Sequence, residues 1–302
     1  MHPAPSVILF TTLSGLGFGF LFFLGLGLGP FLPVRGWGAL LLWGIGYGLA
    51  VAGLLASTFH LGQPRRALLA FTQWRSSWLS REAWAACATL FVLAPVALAQ
   101  ILGPGPGSGR LGPEAGWLRA FGGAGAVCAL ATVFTTSMIY TQLRSVPRWN
   151  HWLTPVGFLA FAVTGGAVLS GLGGWAAASC LGLGLVLLAM WRVGDGLFAR
   201  AGESLATATG LKGRVRVLEP PHTNENYLMR EMIHVVGRRH ARRLRGIALA
   251  LASVLPAVLC LLLPPPVAAV LAGGMHLVGA LAARWLFFAQ AEHVVGLYYG
   301  RR

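Results

Sequence analysis

The sequence predicts an all-α integral membrane protein, a bundle of eight transmembrane helices, on three observations. Of the 302 residues, 56% are apolar and only 10% are charged, whereas soluble proteins carry about 25% charged residues. Glycine supplies 42 residues, and both glycine and proline are more frequent in membrane helices than in soluble ones. Eight apolar runs approach or exceed the roughly 20 residues that cross a bilayer. This composition excludes disordered, collagen-like and small disulfide-rich proteins.

The eight runs form a single predicted domain over residues 1–302. In chain order they are Ser6–Gly29, Trp37–Phe59, Ala83–Leu102, Trp117–Tyr140, Trp152–Gly173, Trp175–Trp191, Gly246–Leu263 and Val267–Ala289. Tryptophan opens four of these runs, where the aromatic belts of membrane helices lie. The first run has neither a basic segment before it nor a small-residue cleavage site, so we expect a span rather than a signal peptide.

Charge predicts the orientation of the bundle. The chain has 23 basic and 8 acidic residues, a net charge of +15, and 19 of the 23 basic residues fall at the termini and in the loops after the second, fourth and sixth runs. Basic loops stay in the cytoplasm, so we expect both termini to be cytoplasmic in a bacterial inner membrane. A basic loop at about 193–245 is the longest connection, and Tyr227–Arg245 is predicted to be helical. We expect this charge to meet lipid and protein, not nucleic acid.

Neither the cysteines nor the histidines predict a metal site in this chain. The four cysteines lie singly in different apolar runs, without the C-x-x-C spacing of zinc or iron–sulfur sites. A transmembrane haem needs two histidines at similar depth, and only His276 lies in the middle of a run. We therefore expect no haem, iron–sulfur cluster or other metal here, and we interpret His276 as a hydrogen-bonded packing residue.

Ionisable residues near the basic end are the candidate functional groups, because such residues are costly inside a membrane. They are His60, Arg81, Glu82, Arg284 and Glu292. Arg284 and Glu292 are eight residues apart, so we expect them on one helix face, close enough to pair. The alternative interpretation is a set of structural ion pairs that reach the membrane surface.

Four longer stretches resemble one family, the membrane anchor subunits of DMSO-reductase-type molybdoenzymes. They are HPAPSVILFTTLSGLGFG (His2–Gly19), FHLGQPRRALLAFTQWRSSWLSRE (Phe59–Glu82), GRVRVLEPPHTNENYLMREMIHVVGRRHARRLR (Gly213–Arg245) and RWLFFAQAEHVVGLYYG (Arg284–Gly300). The resemblance implies a three-subunit complex with a molybdopterin catalytic subunit and an iron–sulfur electron-transfer subunit. The anchor would perform no molybdenum chemistry; it would bind ubiquinone or menaquinone and carry the quinone redox site of an oxidoreductase.

The resemblance also implies a site residue. His60, in the sequence HLGQPRRA, matches the position of the family's quinol-site histidine, and an imidazole can exchange a proton near neutral pH. Burial chemistry adds Glu82 as a proton relay and Arg65, Arg81 and Arg284 as quinone-binding cations. A second set, Tyr227 and Arg230 in the long loop, is expected to contact the iron–sulfur partner.

The substrate of the complex is predicted from the opening segment and the cytoplasmic placement, which resemble the anchors of quinone-reducing sulfite dehydrogenases. Electrons would then pass from sulfite to the quinone pool. The alternative is the anchor of a reductase for DMSO or a related oxide, in which quinol is oxidised. An eight-helix bundle also permits a small-molecule transporter or a structural anchor without a quinone site.

Overall fold

The computed structural model describes residues 3–31, 34–59, 63–103, 114–219, 224, 229, 232 and 240–299, and the regular structure in these residues is helical. The α-helices are α1 (Pro5–Leu26), α2 (Trp37–Thr58), α3 (Trp78–Leu102), α4 (Glu114–Thr141), α5 (Leu153–Leu169), α6 (Gly174–Arg200), α7 (Leu205–Thr209), α8 (Ala241–Leu249), α9 (Leu255–Leu262) and α10 (Pro265–Ala289). Two 3-10 helices span Pro64–Phe71 and Val294–Tyr299. The π-helical turn Ala250–Val254 joins α8 and α9 into one continuous helix.

The all-helical membrane fold is confirmed, with one difference in the number of spans. Seven helices in the described part of the chain are long and apolar enough to cross a membrane, the continuous helix Ala241–Leu262 among them. The remaining predicted span, Trp152–Gly173, forms α5, which has 17 residues. The run that follows it, Trp175–Trp191, was the shortest of the eight but belongs to the 27-residue helix α6.

The predicted long connection is shorter in the structure than the apolar pattern suggests. Hydropathy ends the sixth run at its first charges, but α6 continues to Arg200 and α8 begins at Ala241. The backbone hydrogen bonds of a helix can continue beyond the hydrocarbon region of the membrane. The charged side chains at the end of α6 and the start of α8 can form polar contacts outside that region. The connection therefore lies between Arg200 and Ala241, and most of its second half is outside the described residues.

Helix α1 occupies the centre of the bundle and packs against α2, α4, α5 and α10. Most of α1 is buried, and glycines bring its backbone directly onto its neighbours. A Cβ atom at Gly17 would overlap the backbone of Ala50 on α2, and one at Gly19 would overlap the carbonyl of Ala162 on α5. Small residues allow such close approach between membrane helices, so these glycines determine how α1 sits in the bundle.

The alternation of the helices gathers most of the polar groups at one end, which we call the basic end. Helices α1, α3, α5 and α8 begin there, and α2, α4, α6 and α10 end there. Just inside this end, five aromatic rings pack edge to face, stacked or tilted, with centroids 5.2–5.6 Å apart: Tyr140, Trp149, Phe158, Phe287 and Phe288. This aromatic cluster supports the polar side chains described below.

The crossing of α1 and α5 yields a stability prediction. Gly19→Ala should lower the free energy of unfolding by about 1–3 kcal/mol, because the added methyl group has no space beside Ala162. Gly44→Ala on α2 is the matched control, since a Cβ atom there meets nothing within 4 Å. Unfolding of the purified chain in detergent measures both. Equal stability of the two variants would contradict the close crossing.

Candidate functional site

Glu82 lies in the second turn of α3, with 3% of its surface exposed. Its Oε1 atom is 2.5 Å from the hydroxyl oxygen of Thr136 on α4, and that hydroxyl is also 2.9 Å from the carbonyl oxygen of Thr132. A hydroxyl has one proton to donate, and a carbonyl only accepts. The Thr136 hydroxyl therefore shares its proton between Glu82 Oε1 on α3 and the carbonyl oxygen of Thr132 on its own helix.

Arg284 is buried near the end of α10, with 4% of its surface exposed. Its guanidinium carbon lies 3.5 Å from the centre of the Phe158 ring and 5.2 Å from that of Phe161. Cation–π contacts of this kind favour the cation but provide no hydrogen-bond acceptor. Among the described residues, no carboxylate forms an ion pair with Arg284. A buried cation of this type is a candidate functional group, because its burial is costly without a charged partner.

Tyr140 on α4 links the two buried groups. It is 8% exposed, belongs to the aromatic cluster, and lies within electrostatic range of both Glu82 and Arg284. Thr136 stands one helical turn earlier on the same helix. We call Glu82, Thr136, Tyr140 and Arg284 the polar layer: it runs through the core from α3 across α4 to α10. One edge has a carboxyl group that can exchange a proton, and the other has a cation that only donates hydrogen bonds.

The structure places Arg81 differently from its neighbour Glu82. Its Nε atom donates to the carbonyl of Trp74 at 3.0 Å and its Nη2 atom to that of Arg75 at 2.6 Å. The guanidinium also lies 4.3 Å from the ring centre of Trp78. Arg81 therefore holds the segment between the 3-10 helix Pro64–Phe71 and α3, outside the polar layer.

The other sequence-predicted residues lie wholly or partly outside the described residues. These are His60, Tyr227, Arg230 and the side chain of Arg65, whose backbone belongs to the 3-10 helix Pro64–Phe71. Of the predicted quinone-site residues, the structure thus brings Glu82 and Arg284 into one layer.

The expected pairing of Arg284 with Glu292 on one helix face is wrong. Helix α10 ends at Ala289, so Glu292 is not on the helix and the eight-residue spacing does not place it beside Arg284. Instead, Glu292 lines a cavity of about 60 Å³ together with Arg148 and Asp195. The prediction failed because it assumed that the helix continued past its last apolar residue.

A second cluster at the basic end was missed by the sequence argument. Asp195 on α6 accepts hydrogen bonds from Arg148 at 2.6 Å and from both Nη atoms of Arg245 at 2.8 and 2.6 Å. Burial lowers the pKa of the Arg148 guanidinium, and its hydrogen bond to Asp195 opposes that effect. Arg148 and Arg245 are 47 and 50 positions from Asp195, so no sequence pattern pairs them. An isolated acid near many basic residues was the one indication of an ion pair. The cluster joins α6 and α8 to the connection between α4 and α5.

His276 is confirmed as a hydrogen-bonded packing residue. Its ring is 2% exposed, and Nδ1 lies 2.9 Å from the carbonyl oxygen of Ala252 at the π-helical turn. Within the described ranges, no three His, Cys, Asp or Glu side chains come together in a way that could hold a metal ion.

Comparisons with known proteins identify the family of the chain. Residues 6–172 match the family model described as DMSO reductase anchor subunit (DmsC). The full chain is similar to a sulfite dehydrogenase subunit from Allochromatium vinosum, with 30% identity over 335 aligned positions that cover 99% of each chain. No solved structure matches the chain.

The Asp195 cluster yields a prediction that is independent of function. Asp195→Asn should lower the free energy of unfolding by about 1–2 kcal/mol, since two largely buried arginines lose a charged acceptor that is itself about half exposed. Thermal unfolding of the purified chain measures the loss. Glu203→Gln is the control, because this exposed acid accepts a hydrogen bond from Thr207 and has no ion pair among the described residues. A loss as small as that of the control would contradict the role assigned to Asp195.

Proposed function

Because the chain belongs to the DMSO reductase anchor subunit family, we propose that it is the membrane anchor and quinone-binding subunit of a three-subunit molybdoenzyme. It passes electrons between an iron–sulfur subunit and the quinone pool. The polar layer is the observation that carries the proposal: Arg284 on α10 is a buried cation without a carboxylate partner among the described residues, and Glu82 on α3 is a buried carboxyl group near the same end of the bundle. Catalysis at molybdenum belongs to the third subunit.

The residues of the polar layer fit a quinone ring. Quinone oxygens accept hydrogen bonds, and Arg284 offers donors that no described carboxylate satisfies. The surrounding rings of Phe158 and Phe161 provide an apolar wall for a flat ligand. When bound, the quinone supplies two-electron, two-proton redox chemistry.

Each side chain has a separate task in this proposal. Arg284 binds a ring oxygen and favours negative charge on it. Glu82 is the proposed proton relay for the site. His60 and Arg65, which follow α2 in the sequence, are the proposed quinone-site histidine and a further quinone-binding cation, while Arg81 holds in place the segment that leads to Glu82.

The finer topology is also part of the proposal. We propose that α5 is the eighth span, and its close contact with α1 and the position of Phe158 in the aromatic cluster support this. The basic end then faces the cytoplasm with both termini, as the positive-inside rule requires, in the bacterial inner membrane.

The proposed electron donor is sulfite, oxidised by the catalytic subunit, with quinone as the acceptor. Support comes from the sulfite dehydrogenase relative, which aligns with 99% of this chain. The family model, named for DMSO reductase, matches residues 6–172 and supports the second candidate, quinol oxidation coupled to reduction of DMSO or a related oxide. Sulfite- and DMSO-dependent turnover of the complex distinguishes the two.

The quinone site is tested by Glu82→Gln and His60→Ala in the complete complex. Each should lower the quinone-coupled rate by about tenfold or more, equivalent to about 1.4 kcal/mol of barrier, since a proton-exchanging group is removed. Activity with an artificial dye that accepts electrons from the partner subunits should remain. Glu203→Gln, an exposed acid, is the control. Quinone-coupled rates within about twofold of wild type would contradict the site.

We further propose that the basic segment Lys212–Arg245 docks the iron–sulfur subunit. It follows α6 at the basic end, where the hydrogen bonds of Arg245 to Asp195 join α8 to α6, the two helices that flank the connection. Its sequence combines prolines, amide side chains and an aromatic residue, a mixture suited to a protein surface. The C-terminal arginines of the segment also attract anionic lipid headgroups.

Substitution of Tyr227 and Arg230 by alanine should release the iron–sulfur and catalytic subunits from membranes, because an aromatic anchor and a cation are lost together. Co-purification at high salt measures the release, and unfolding of the anchor shows that the bundle is intact. The control pair, Leu143→Ala with Arg144→Ala, removes an apolar side chain and a cation from another connection at the basic end. A complex that remains assembled in the double variant would contradict this docking site.

A further inference from the structure

A wholly apolar groove of about 490 Å³ runs beside the central helix, between α1, α2 and α10. Its walls include Leu16 and Phe20 of α1, Ile45 of α2 and Gly274 of α10. It lies in the half of the bundle opposite the basic end. The rim residues Leu41 and Val270 are 64% and 73% exposed, so the groove opens onto the lipid-facing surface.

The groove leads towards the polar layer. A narrow crevice between α1, α5 and α10 shares Leu16 and Leu277 with the groove and is bordered at its far side by Arg284. Gly273, Leu277, Ala280 and Arg284 follow one face of α10 at helical spacing. Eleven residues separate the first from the last, about 16 Å along the helix, or roughly half the hydrocarbon thickness of a bilayer.

Thr12 provides an independent sign of a ligand in the crevice. Its side chain is 4% exposed and lines the crevice with Arg284, and its hydroxyl oxygen has no hydrogen-bond partner among the described residues. The neighbouring Thr11 hydroxyl, in contrast, donates to the carbonyl of Val7 at 2.9 Å. Buried polar atoms are rarely left unpaired. Thr12 and Arg284 therefore present two hydrogen-bonding groups to one space at the end of an apolar track.

We propose that the groove holds the isoprenoid tail of the quinone and that its ring lies in the crevice between Thr12 and Arg284. This inference rests on the proposed function and adds to it the path of the tail, the entry route between α2 and α10, and Thr12 as a ring-binding residue. The crevice has a free volume of about 10 Å³, room for about one water molecule. The ring enters by widening the space between Gly15 and Ala280, which line the crevice on opposite helices.

The apolar groove and the crevice beside Arg284 together suit a quinone better than a phospholipid. A phospholipid has two chains and a charged headgroup that stays at the membrane surface. Arg284 lies five residues inside the end of α10, about 7.5 Å from it, and is 4% exposed. An uncharged ring on a single chain fits a narrow crevice at this depth.

The groove is tested with Gly274→Leu, and Gly182→Leu is the matched control. Both glycines are exposed in the middle of spans, and a Cβ atom at either meets nothing within 4 Å, but only Gly274 lines the groove. Binding of long-tailed ubiquinone and of a tail-free analogue is measured with the purified complex in lipid nanodiscs. Gly274→Leu should weaken binding of the long-tailed quinone by about tenfold and leave the tail-free analogue unchanged, while Gly182→Leu changes neither.

Thr12→Val tests the position of the ring, because it removes the hydroxyl and keeps the shape. It should weaken both quinones by about three- to tenfold. Unchanged binding in Thr12→Val, or unchanged long-tail binding in Gly274→Leu, would overturn the inference while leaving the quinone function intact. Loss of a co-purified phospholipid from Gly274→Leu with unchanged quinone binding would also overturn it. Failure of the wild-type complex to bind either quinone would instead refute the proposed function.

Discussion

The close contact of α1 with α2 and α5 is the constraint on which the rest of this structure depends. Because Gly17 and Gly19 bring its backbone against those of Ala50 and Ala162, α1 fills the centre of the bundle and leaves little room for other side chains. The buried ionisable side chains Glu82 and Arg284 lie towards the basic end, where α1 begins. The same geometry leaves α1 open to lipid between α2 and α10, on the side of the apolar groove.

The polar layer and the Asp195 cluster use charge in different ways. Asp195 satisfies Arg148 and Arg245 with short hydrogen bonds near water, an arrangement that stabilises the connection between helices. Arg284 is deeper, stacks on aromatic rings and lacks a carboxylate partner among the described residues. A buried charge kept without such a partner costs stability, and this cost is explained if an acceptor arrives with a ligand.

The sequence was sufficient for the class of fold and for the depth of Glu82 and Arg284, since hydropathy and the rarity of membrane charges decide both. It was insufficient wherever the outcome depended on long-range contacts. The apolar pattern ended α6 at Trp191 because it could not detect that Asp195 binds two distant arginines. The pairing of Arg284 with Glu292 failed for another reason, since it assumed a helix beyond Ala289, where the apolar run and α10 both end. The sequence predicts that Thr136 hydrogen-bonds to its own helix, and it does. Its second contact, with Glu82, depends on the packing of α3 against α4, which the sequence does not reveal.

The central claim is that Arg284 holds a quinone at the basic end of the bundle, and the most direct test is the quinone content of the purified complex. Arg284→Met keeps an unbranched side chain in contact with Phe158 but removes the donors. The account predicts that the wild-type complex retains quinone through purification and that Arg284→Met loses most of it, with the three subunits still assembled. An assembled Arg284→Met complex that retains the wild-type amount of quinone would contradict the account.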